Sequence, residues 1–331
     1  MLKLQKPVLP LPTMYANITK DITLCQRLLQ KGELVSVPTE TVYGLGANIY
    51  DDIAIRKIFA LKGRPFFNPL IVHIHHLDQL STLTKTIPET ARRLAGEFWP
   101  GPLTLILPKR PEISDLITAG KPTVAVRIPA HPMTLELLQK LDFPIAAPSA
   151  NPFTCISPTT AQHVADYFGD RIPAILDGGA CTVGLESTII GFEGPTPIVY
   201  RKGGISIEAI EALVGGVRLV TENEEAPQAP GMLLKHYAPR TKVVLNDTPQ
   251  NALQAFEGHK VGILSFTKKH FPGAIHVETL SQTGNLEEAA QKLFAALHRL
   301  DEARLDVIIA ERFPEKGLGI SINDRLERAE N

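Results

Sequence analysis

Short apolar runs alternate with stretches of helical periodicity along most of the chain. Residues 34–37 predict a strand, and residues 51–61 predict a helix because their apolar positions recur at helical spacing. The predicted apolar face of that helix consists of Ile53, Ile55, Ile58 and Phe59. Further strands are predicted at 70–74, 103–107, 123–128, 145–147 and 187–190, with a further helix at 89–98. Such alternation is typical of an α/β domain built on a twisted sheet.

A break in composition separates this part from the rest of the chain. Residues 222–240 bring glutamates and prolines in place of apolar residues, which is typical of a linker. The following segments predict strands at 242–245, 261–265 and 306–310 and helices at 251–256 and 286–300. We therefore predict a large domain at 1–220, a linker at 221–240 and a small Rossmann-like α/β domain at 241–331. Because the small domain lacks a GxGxxG motif, its topology alone does not indicate nucleotide binding.

Composition and charge exclude several classes of protein. The chain has 331 residues, of which 44% are hydrophobic and 21% charged, as expected of a folded protein of about two domains. Its 34 basic residues nearly balance its 35 acidic ones, which argues against a surface coated in positive charge to grip nucleic acid. No apolar run approaches the ~20 residues that span a bilayer, and the prolines after Lys6 make a poor signal-peptide core. Three scattered cysteines form no CxxC pair, so we expect a cytoplasmic protein without a membrane partner.

Polar loops after the predicted strands and helices are the first candidates for a ligand site. Residues 38–46 combine hydroxyls, a carboxylate and two glycines, which suit either close approach to a polar ligand or an ordinary capped turn. Lys62 and Arg64 flank Gly63 just after a predicted helix. Two cations at that place form either a phosphate clamp or basic residues that complement the helix dipole.

Arg127 ends an apolar strand, where an arginine is costly unless it is paired or faces a ligand. Since no acidic residue lies near it in sequence, we expect it to face a ligand. Ser149 and Asn151 follow another predicted strand, and residues 186–188 repeat the hydroxyl pattern. Arg201 repeats the pattern of a cation beside glycines. Cations and hydroxyls at the ends of elements of one domain suit a triphosphate and a small polar co-substrate.

Other residues admit plainer interpretations. At least one of Ser157 and Thr159 is expected to be the N-cap of a helix that begins near residue 161. His73 and His75 would share one face of a strand, but no third ligand is evident, so contact of His73 with substrate is favoured over a metal site. The motifs GxSxG and GxxxxGK[ST] are absent, which excludes a nucleophile elbow and a P-loop.

Six segments stand in an order that is informative as a set. They are PTETVYGLG, KGRP with NPLIVHI, VAVRIP, APSAN, LESTII and the linker APGMLLKHYAP. Together they resemble the threonylcarbamoyl-AMP synthases of the YrdC-like fold, and the later segment GLGISINDRLERA resembles the end of their long, two-domain form. The resemblance implies a YrdC-like twisted open sheet domain with a second, smaller Rossmann-like α/β domain. It also implies that L-threonine, bicarbonate and ATP give threonylcarbamoyl-AMP and pyrophosphate, for threonylcarbamoyladenosine modification of tRNA.

The same resemblance implies roles for individual residues. Lys62 and Arg64 match the family's KxR element near the nucleotide phosphates and the reaction centre. Ser149 and Asn151 match the SxN element at the same place. The further nucleotide contacts correspond to Asn68, Thr123, Ser157 and Arg201. His236 and Tyr237 match the linker segment that folds back over the nucleotide. Contacts to threonine correspond to Thr41, His73, Ala147, Ser187 and Arg127, the last as partner of the carboxylate. Residues 227–239 are expected to cover the cleft.

The resemblance also implies cofactors and partners. Mg²⁺ is expected to arrive with ATP, and no tightly bound organic cofactor is expected. The expected partners are ATP, L-threonine, bicarbonate and the machinery that transfers the threonylcarbamoyl group to tRNA, with weak direct contact to tRNA left open.

The chain departs from the family pattern at three places. Phe153-Thr154 stand near the place of a Ser-Gly pair, Lys202 replaces a proline, and Ala229 replaces a serine.

Two alternative functions remain. One is a non-catalytic module that binds double-stranded RNA or tRNA by its phosphates. The other is a hydrogenase-maturation carbamoyltransferase, which would bring zinc-type cysteine pairs that are missing here.

Overall fold

Two sheets organise the protein in the computed structural model, which describes residues 18–220 and 236–330. The strands of the first range are β1 (Ile18–Thr19), β2 (Val35–Val37), β3 (Gly44–Asn48), β4 (Ile71–His73), β5 (Leu103–Pro108), β6 (Thr123–Arg127), β7 (Ile145–Ala146), β8 (Ala174–Leu176), β9 (Thr188–Glu193), β10 (Thr196–Arg201) and β11 (Arg218–Leu219). Within this range they form one 11-stranded sheet in the order β1-β8-β2-β3-β7-β4-β6-β5-β9-β10-β11. Parallel and antiparallel pairs are mixed, with β4 parallel to β6 and antiparallel to β7.

The helices of this first domain lie between those strands in the chain. They are α1 (Ile22–Gln30), α2 (Asp52–Lys62), α3 (Leu80–Leu83), α4 (Glu89–Phe98), α5 (Asp115–Thr118), α6 (Pro132–Lys140), α7 (Ala161–Phe168) and α8 (Ile207–Val214). Side-chain caps fix several helix starts, since Asp51 accepts from the amides of Ile53 and Ala54 and Thr160 accepts from the amide of His163. Gly63 ends α2 with φ 62°, a left-handed conformation that glycine adopts without strain.

The two faces of the first sheet are covered differently. On one face an apolar core extends across the sheet beneath α2, α4, α7 and α8. On the other face α1 and α6 cover β8, β2 and β7 through a second core. Where that cover stops, the sheet carries a small cluster of Ile71, Ala125 and Ile189. Because side chains alternate along a strand, His73 and Arg127 project on this same, less covered part of the face.

A smaller parallel sheet forms the second domain. Its strands are β12 (Lys242–Asn246), β13 (Val261–Ser265), β14 (His276–Thr279) and β15 (Val307–Glu311), in the order β12-β15-β13-β14. Its helices are α9 (Pro249–Ala252), α10 (Leu286–Glu302) and α11 (Leu318–Glu330). The core around α10 includes Val42, Ile156 and Leu185 of the first domain, so an apolar interior continues from one domain into the other. None of the helices in the two described ranges combines the length and apolar composition that crossing a bilayer requires.

The α/β architecture predicted from the alternation is confirmed, as are most of the predicted strands and helices. The predicted face of α2 is wrong at Ile53, whose side chain is 73% exposed. Ile53 lies on the opposite side of the helix from Ile58, and Ala54 takes the buried place instead. The helix predicted at 251–256 is α9 followed by a 3₁₀ turn at Leu253–Phe256. The strand β14 and the helix α11 were not predicted.

Candidate active site

A pocket opens where the cover of the first sheet stops. Its walls come from the loop after β2, the ends of β4, β6 and β10, the loop after β7 and the segment before β9. The residues predicted from the sequence that line it are Thr41, Arg64, His73, Arg127, Ala147, Ser149, Ser187, Arg201, His236 and Tyr237. Separate segments of the first domain thus bring most of the predicted site residues to one place.

The last turn of α2 places Lys62 behind the pocket wall. Lys62 shares the buried face of the helix with Ile58 and Phe59, and its Nζ donates to the carbonyl of Ser149 at 2.6 Å. A second bond from Nζ reaches the carbonyl of Asn151. The ammonium group therefore anchors the loop after β7 to the helix.

Arg64 follows immediately, past the left-handed turn at Gly63. Its guanidinium donates to the side chain of Asn68 at 2.7 Å and to the carbonyls of Asn68 and Pro69. These acceptors are neutral, so the charge of Arg64 is held in place without a carboxylate among them. The Nδ2 atom of Asn68 and the Oδ1 atom of Asn151 are buried without a hydrogen-bond partner in the described part of the chain. Neither Asn68 nor Asn151 lines the pocket.

Arg127 does have an acidic partner, which corrects the expectation from the sequence. Glu40 lies far away in the chain, but its Oε1 accepts from Arg127 at 2.6 Å, and both side chains are buried. Thr41 Oγ1 accepts from the same guanidinium at 2.9 Å, and the carbonyl of Gly101 accepts a third bond. The carboxylate of Glu40 also accepts from the amide of Ala130. These bonds fix the guanidinium in one orientation at the pocket wall.

Ser187 and Arg201 meet where β10 and the segment before β9 border the pocket. Arg201 donates to Ser187 through the serine carbonyl and Oγ, each at 3.0 Å, and Ser187 Oγ lies 2.7 Å from Thr104 Oγ1. Ser157 lies beside them, where its Oγ donates to Glu186 at 2.6 Å. The expectation that Ser157 or Thr159 caps α7 is wrong, because Thr160 is the N-cap.

His236 and Tyr237 close one side of the pocket. Both are buried, and the His236 ring meets Phe153 edge-on at 6.1 Å between centroids. Tyr237 packs against Phe294 of α10, and its buried hydroxyl has no hydrogen-bond partner in the described residues. The remainder of the predicted cover, residues 227–235, lies outside the described residues, as does Ala229.

Like charges crowd the site. Burial and the neighbouring Arg64 lower the pKa of Lys62 well below its usual value, and burial with Arg201 lowers the pKa of Arg64. Burial and Arg127 lower the pKa of His73 to about 3, so its imidazole is neutral near pH 7. Burial therefore disfavours the charged forms of Lys62, Arg64 and Arg201, and an anion in the pocket would favour them.

Not every predicted residue lies at the pocket. Thr123 lies at the other end of β6 from Arg127, about 13 Å away along the strand, and lines a separate hollow with Ile106 and Tyr200. Its contact with the nucleotide stays a prediction. Groups of three or more side chains that could hold a metal ion do not occur among the described residues.

Sequence reasoning missed two acidic residues of the wall and one arginine behind it. Glu40 pairs with Arg127, and Glu186 lines the pocket. Arg325 on α11 reaches Glu186 from the second domain at 2.8 Å. Glu40 and Glu186 stand inside the quoted segments PTETVYGLG and LESTII, which was the available signal. Arg325 stands inside the quoted segment GLGISINDRLERA, but nothing in that segment indicates that its side chain reaches the first domain.

Known proteins resemble the chain over both domains. A family model described as "Telomere recombination" matches residues 27–203, and one described as "Threonylcarbamoyl-AMP synthase, C-terminal domain" matches residues 205–330. The Threonylcarbamoyl-AMP synthase of Pyrococcus abyssi is 42% identical over 323 residues, which cover 93% of each chain. That of Bacillus subtilis is 44% identical over 324 residues, which cover 94% of each chain. The crystal structure of P. abyssi Sua5 complexed with L-threonine has a TM-score of 0.89 at 42% identity, over 96% of this chain and 97% of that one.

Proposed function

The chain belongs to the threonylcarbamoyl-AMP synthases, and we propose that its pocket condenses L-threonine, bicarbonate and ATP to threonylcarbamoyl-AMP and pyrophosphate. One observation supports this assignment above the others. Three arginines from separate segments, Arg64, Arg127 and Arg201, line one pocket, and Lys62 lies behind its wall. Such a site suits the triphosphate of ATP beside the carboxylate of an amino acid.

We propose that threonine binds between β4, β6 and the segment before β9. Arg127 would hold the carboxylate, since its guanidinium is already oriented by Glu40 and Thr41. The neutral ring of His73 and the hydroxyl of Ser187 lie on the same pocket wall as polar partners for the amino and hydroxyl groups. Ala147 also lines this pocket and would contact the methyl group.

We propose that ATP occupies the side of the pocket nearer α2 and the linker. Arg64 and Arg201 would hold phosphate oxygens, with Lys62 acting through the loop that it anchors. One buried and unpartnered atom of a residue that lines the pocket supports this placement, the hydroxyl of Tyr237. A buried polar atom without a partner is costly, so a ligand that supplies the missing bond is stabilised by it.

The geometry favours chemistry without a covalent enzyme intermediate. Surrounding cations disfavour the ammonium form of threonine, so its neutral amine attacks the bicarbonate carbon, and a carbamate forms with loss of water. A carbamate oxygen then attacks the α-phosphorus of ATP, the bond to the β-phosphate oxygen breaks, and pyrophosphate leaves. The role of Lys62, Arg64 and Arg201 is to stabilise the charge that builds on the phosphate oxygens.

The remaining elements of the proposal concern ions, partners and location. Mg²⁺ would enter as part of the ATP substrate, because Glu40 and Glu186 already bind arginines and the described residues offer no grouped metal ligands. The product would pass to the machinery that modifies tRNA, and a cytoplasmic location is part of this proposal. We keep residues 1–220 as the catalytic domain and 241–331 as the second domain, because β11 ends at Leu219 and β12 begins at Lys242.

The test is incubation of the protein with ATP, bicarbonate and L-threonine, followed by mass detection of the adenylate. We expect threonylcarbamoyl-AMP and an equal amount of pyrophosphate, and neither product without threonine. A protein that binds double-stranded RNA but releases no pyrophosphate in this mixture would refute the proposal. L-serine as the substrate isolates the methyl contact, whose loss usually costs about 1–3 kcal/mol of transition-state binding.

A further inference from the structure

One side chain of the second domain reaches the wall of the pocket in the first. Arg325 lies on α11 and is 0% exposed. Its Nε donates to Glu186 Oε2 at 2.8 Å, and its Nη2 donates to the carbonyl of Lys202 at 2.8 Å. The guanidinium also lies over the ring of Tyr237, 4.8 Å from its centroid. A single arginine therefore contacts three separate segments that build the pocket.

The residues that Arg325 contacts are those that present groups to the phosphate side. Glu186 accepts the hydroxyl of Ser157 on its other oxygen, at 2.6 Å. Lys202 directly follows Arg201, so a bond to its carbonyl holds the end of β10. The orientation of Ser157 and the position of Arg201 thus depend on bonds that Arg325 completes.

The charge of Arg325 also bears on how well the pocket accepts an anion. Glu186 is 5% exposed and lines the same pocket as Arg64 and Arg201. A buried carboxylate there would repel a triphosphate strongly, since little water screens the two charges. Arg325 neutralises Glu186 from the side away from the pocket, and Asp324 accepts a further bond from the same guanidinium.

We propose that Arg325 is a positioning residue of the ATP site, which neutralises Glu186 and so lets the pocket accept the nucleotide phosphates. The inference rests on the proposed function. It assigns the second domain a direct part in nucleotide affinity, although its own sheet lies outside the pocket. The site is complete only when α11 is docked on the first domain.

The test compares three variants with the wild type in steady-state pyrophosphate release. Arg325→Met leaves Glu186 unpaired, and it should raise the KM for ATP at least about tenfold, the change that about 1.4 kcal/mol of lost binding produces. The KM for threonine should change less than about threefold, because Arg127 and its partners are not contacted by Arg325. Arg325→Met/Glu186→Gln removes the unpaired charge and should recover most of the ATP affinity.

Arg299→Met is the matched control. Arg299 lies on α10 away from the pocket, its side chain is half exposed, and it forms an ion pair with Glu278 of β14 at 2.6 Å. We expect wild-type kinetics from it. Titration calorimetry with a non-hydrolysable ATP analogue measures the same affinities without turnover. An Arg325→Met protein with unchanged ATP affinity, or a double variant no better than the single one, would overturn the inference.

Two outcomes need separate treatment. If the wild type releases no pyrophosphate, the proposed function fails, while calorimetry still decides whether Arg325 controls ATP affinity. If Arg325→Met does not fold, Arg325→Lys is measured instead, since it keeps a positive charge beside Glu186 and loses the bond to the Lys202 carbonyl. Because Glu186 stays neutralised in that variant, we expect a KM for ATP within about threefold of the wild type, and a rise of about tenfold or more would contradict the inference.

Discussion

Replacement of Lys62 by methionine tests the electrostatic part of the mechanism most directly. The substitution keeps the length of the side chain and removes an ammonium group that donates to the carbonyls of Ser149 and Asn151. Losing one preorganised electrostatic contact to a transition state typically lowers kcat by about 10²–10³, or about 2.7–4 kcal/mol. We expect a fall of at least about 10²-fold in threonine-dependent pyrophosphate formation.

Stability should change much less than activity. Each carbonyl left without a donor costs about 1–3 kcal/mol. Against that, burial and Arg64 already lower the pKa of Lys62, so removal of the charged group offsets part of this cost. The two effects oppose each other, and chemical denaturation should show a free energy of unfolding near that of the wild type.

Lys57→Met provides the control on the same helix. Lys57 forms a surface ion pair with Glu33 at 3.0 Å, and pairs of this kind contribute about 0–1 kcal/mol. We expect wild-type turnover from it. A Lys62→Met protein that is folded and turns over within about threefold of the wild type would refute the reasoning, because the expected effect is far larger.

Three further changes have definite expected outcomes. Arg127→Lys cannot make all three bonds of the guanidinium, so the KM for threonine should rise about tenfold or more, and an unchanged KM would contradict the carboxylate assignment. His163 and His298 stack across the domain interface at 3.9 Å, and burial lowers their pKa values to about 4 and about 3. The unfolded chain binds protons at these histidines from about pH 6.5 downward, whereas the folded chain does not. The free energy of unfolding should therefore be highest above that pH and should fall towards pH 4. His298→Phe should reduce the slope of unfolding free energy against pH by up to about 1.4 kcal/mol per unit, and an unchanged slope would exclude this histidine. Thr154 has φ 69°, so Thr154→Gly should raise the free energy of unfolding by roughly 1 kcal/mol in urea denaturation, and a loss would show that its side chain outweighs the strain.

The sequence predicted elements well where the signal is local. The cap at Gly63 and the strands that carry His73 and Arg127 follow from glycine chemistry and from apolar runs. Ile53 was misplaced because it was grouped on one apolar face with Ile55, Ile58 and Phe59, whereas it lies on the opposite side of α2 from Ile58 and is exposed. Thr160 was passed over because Ser157 and Thr159 are equally good caps by composition.

The parts that could not be predicted depend on contacts between distant segments. Arg127 meets Glu40 across 87 positions, and Glu186 meets Arg325 across 139. Spacing along the chain contains no information about such pairs, since the sheet order brings them together. These contacts change the interpretation of the site. Arg127 already binds Glu40, and Arg201 already binds the hydroxyl of Ser187, before any substrate arrives.

The interior shared by the two domains has a consequence for the order of synthesis. A ribosome releases β1 to β11 before it makes α10 and α11, whose side chains cover Val42, Ile156 and Leu185. Until then those three apolar side chains, and the Glu186 carboxylate, lack their cover, so the nascent first domain is a natural client for chaperones. The wall around Glu186 is therefore completed when α11 emerges, and not when the large sheet does.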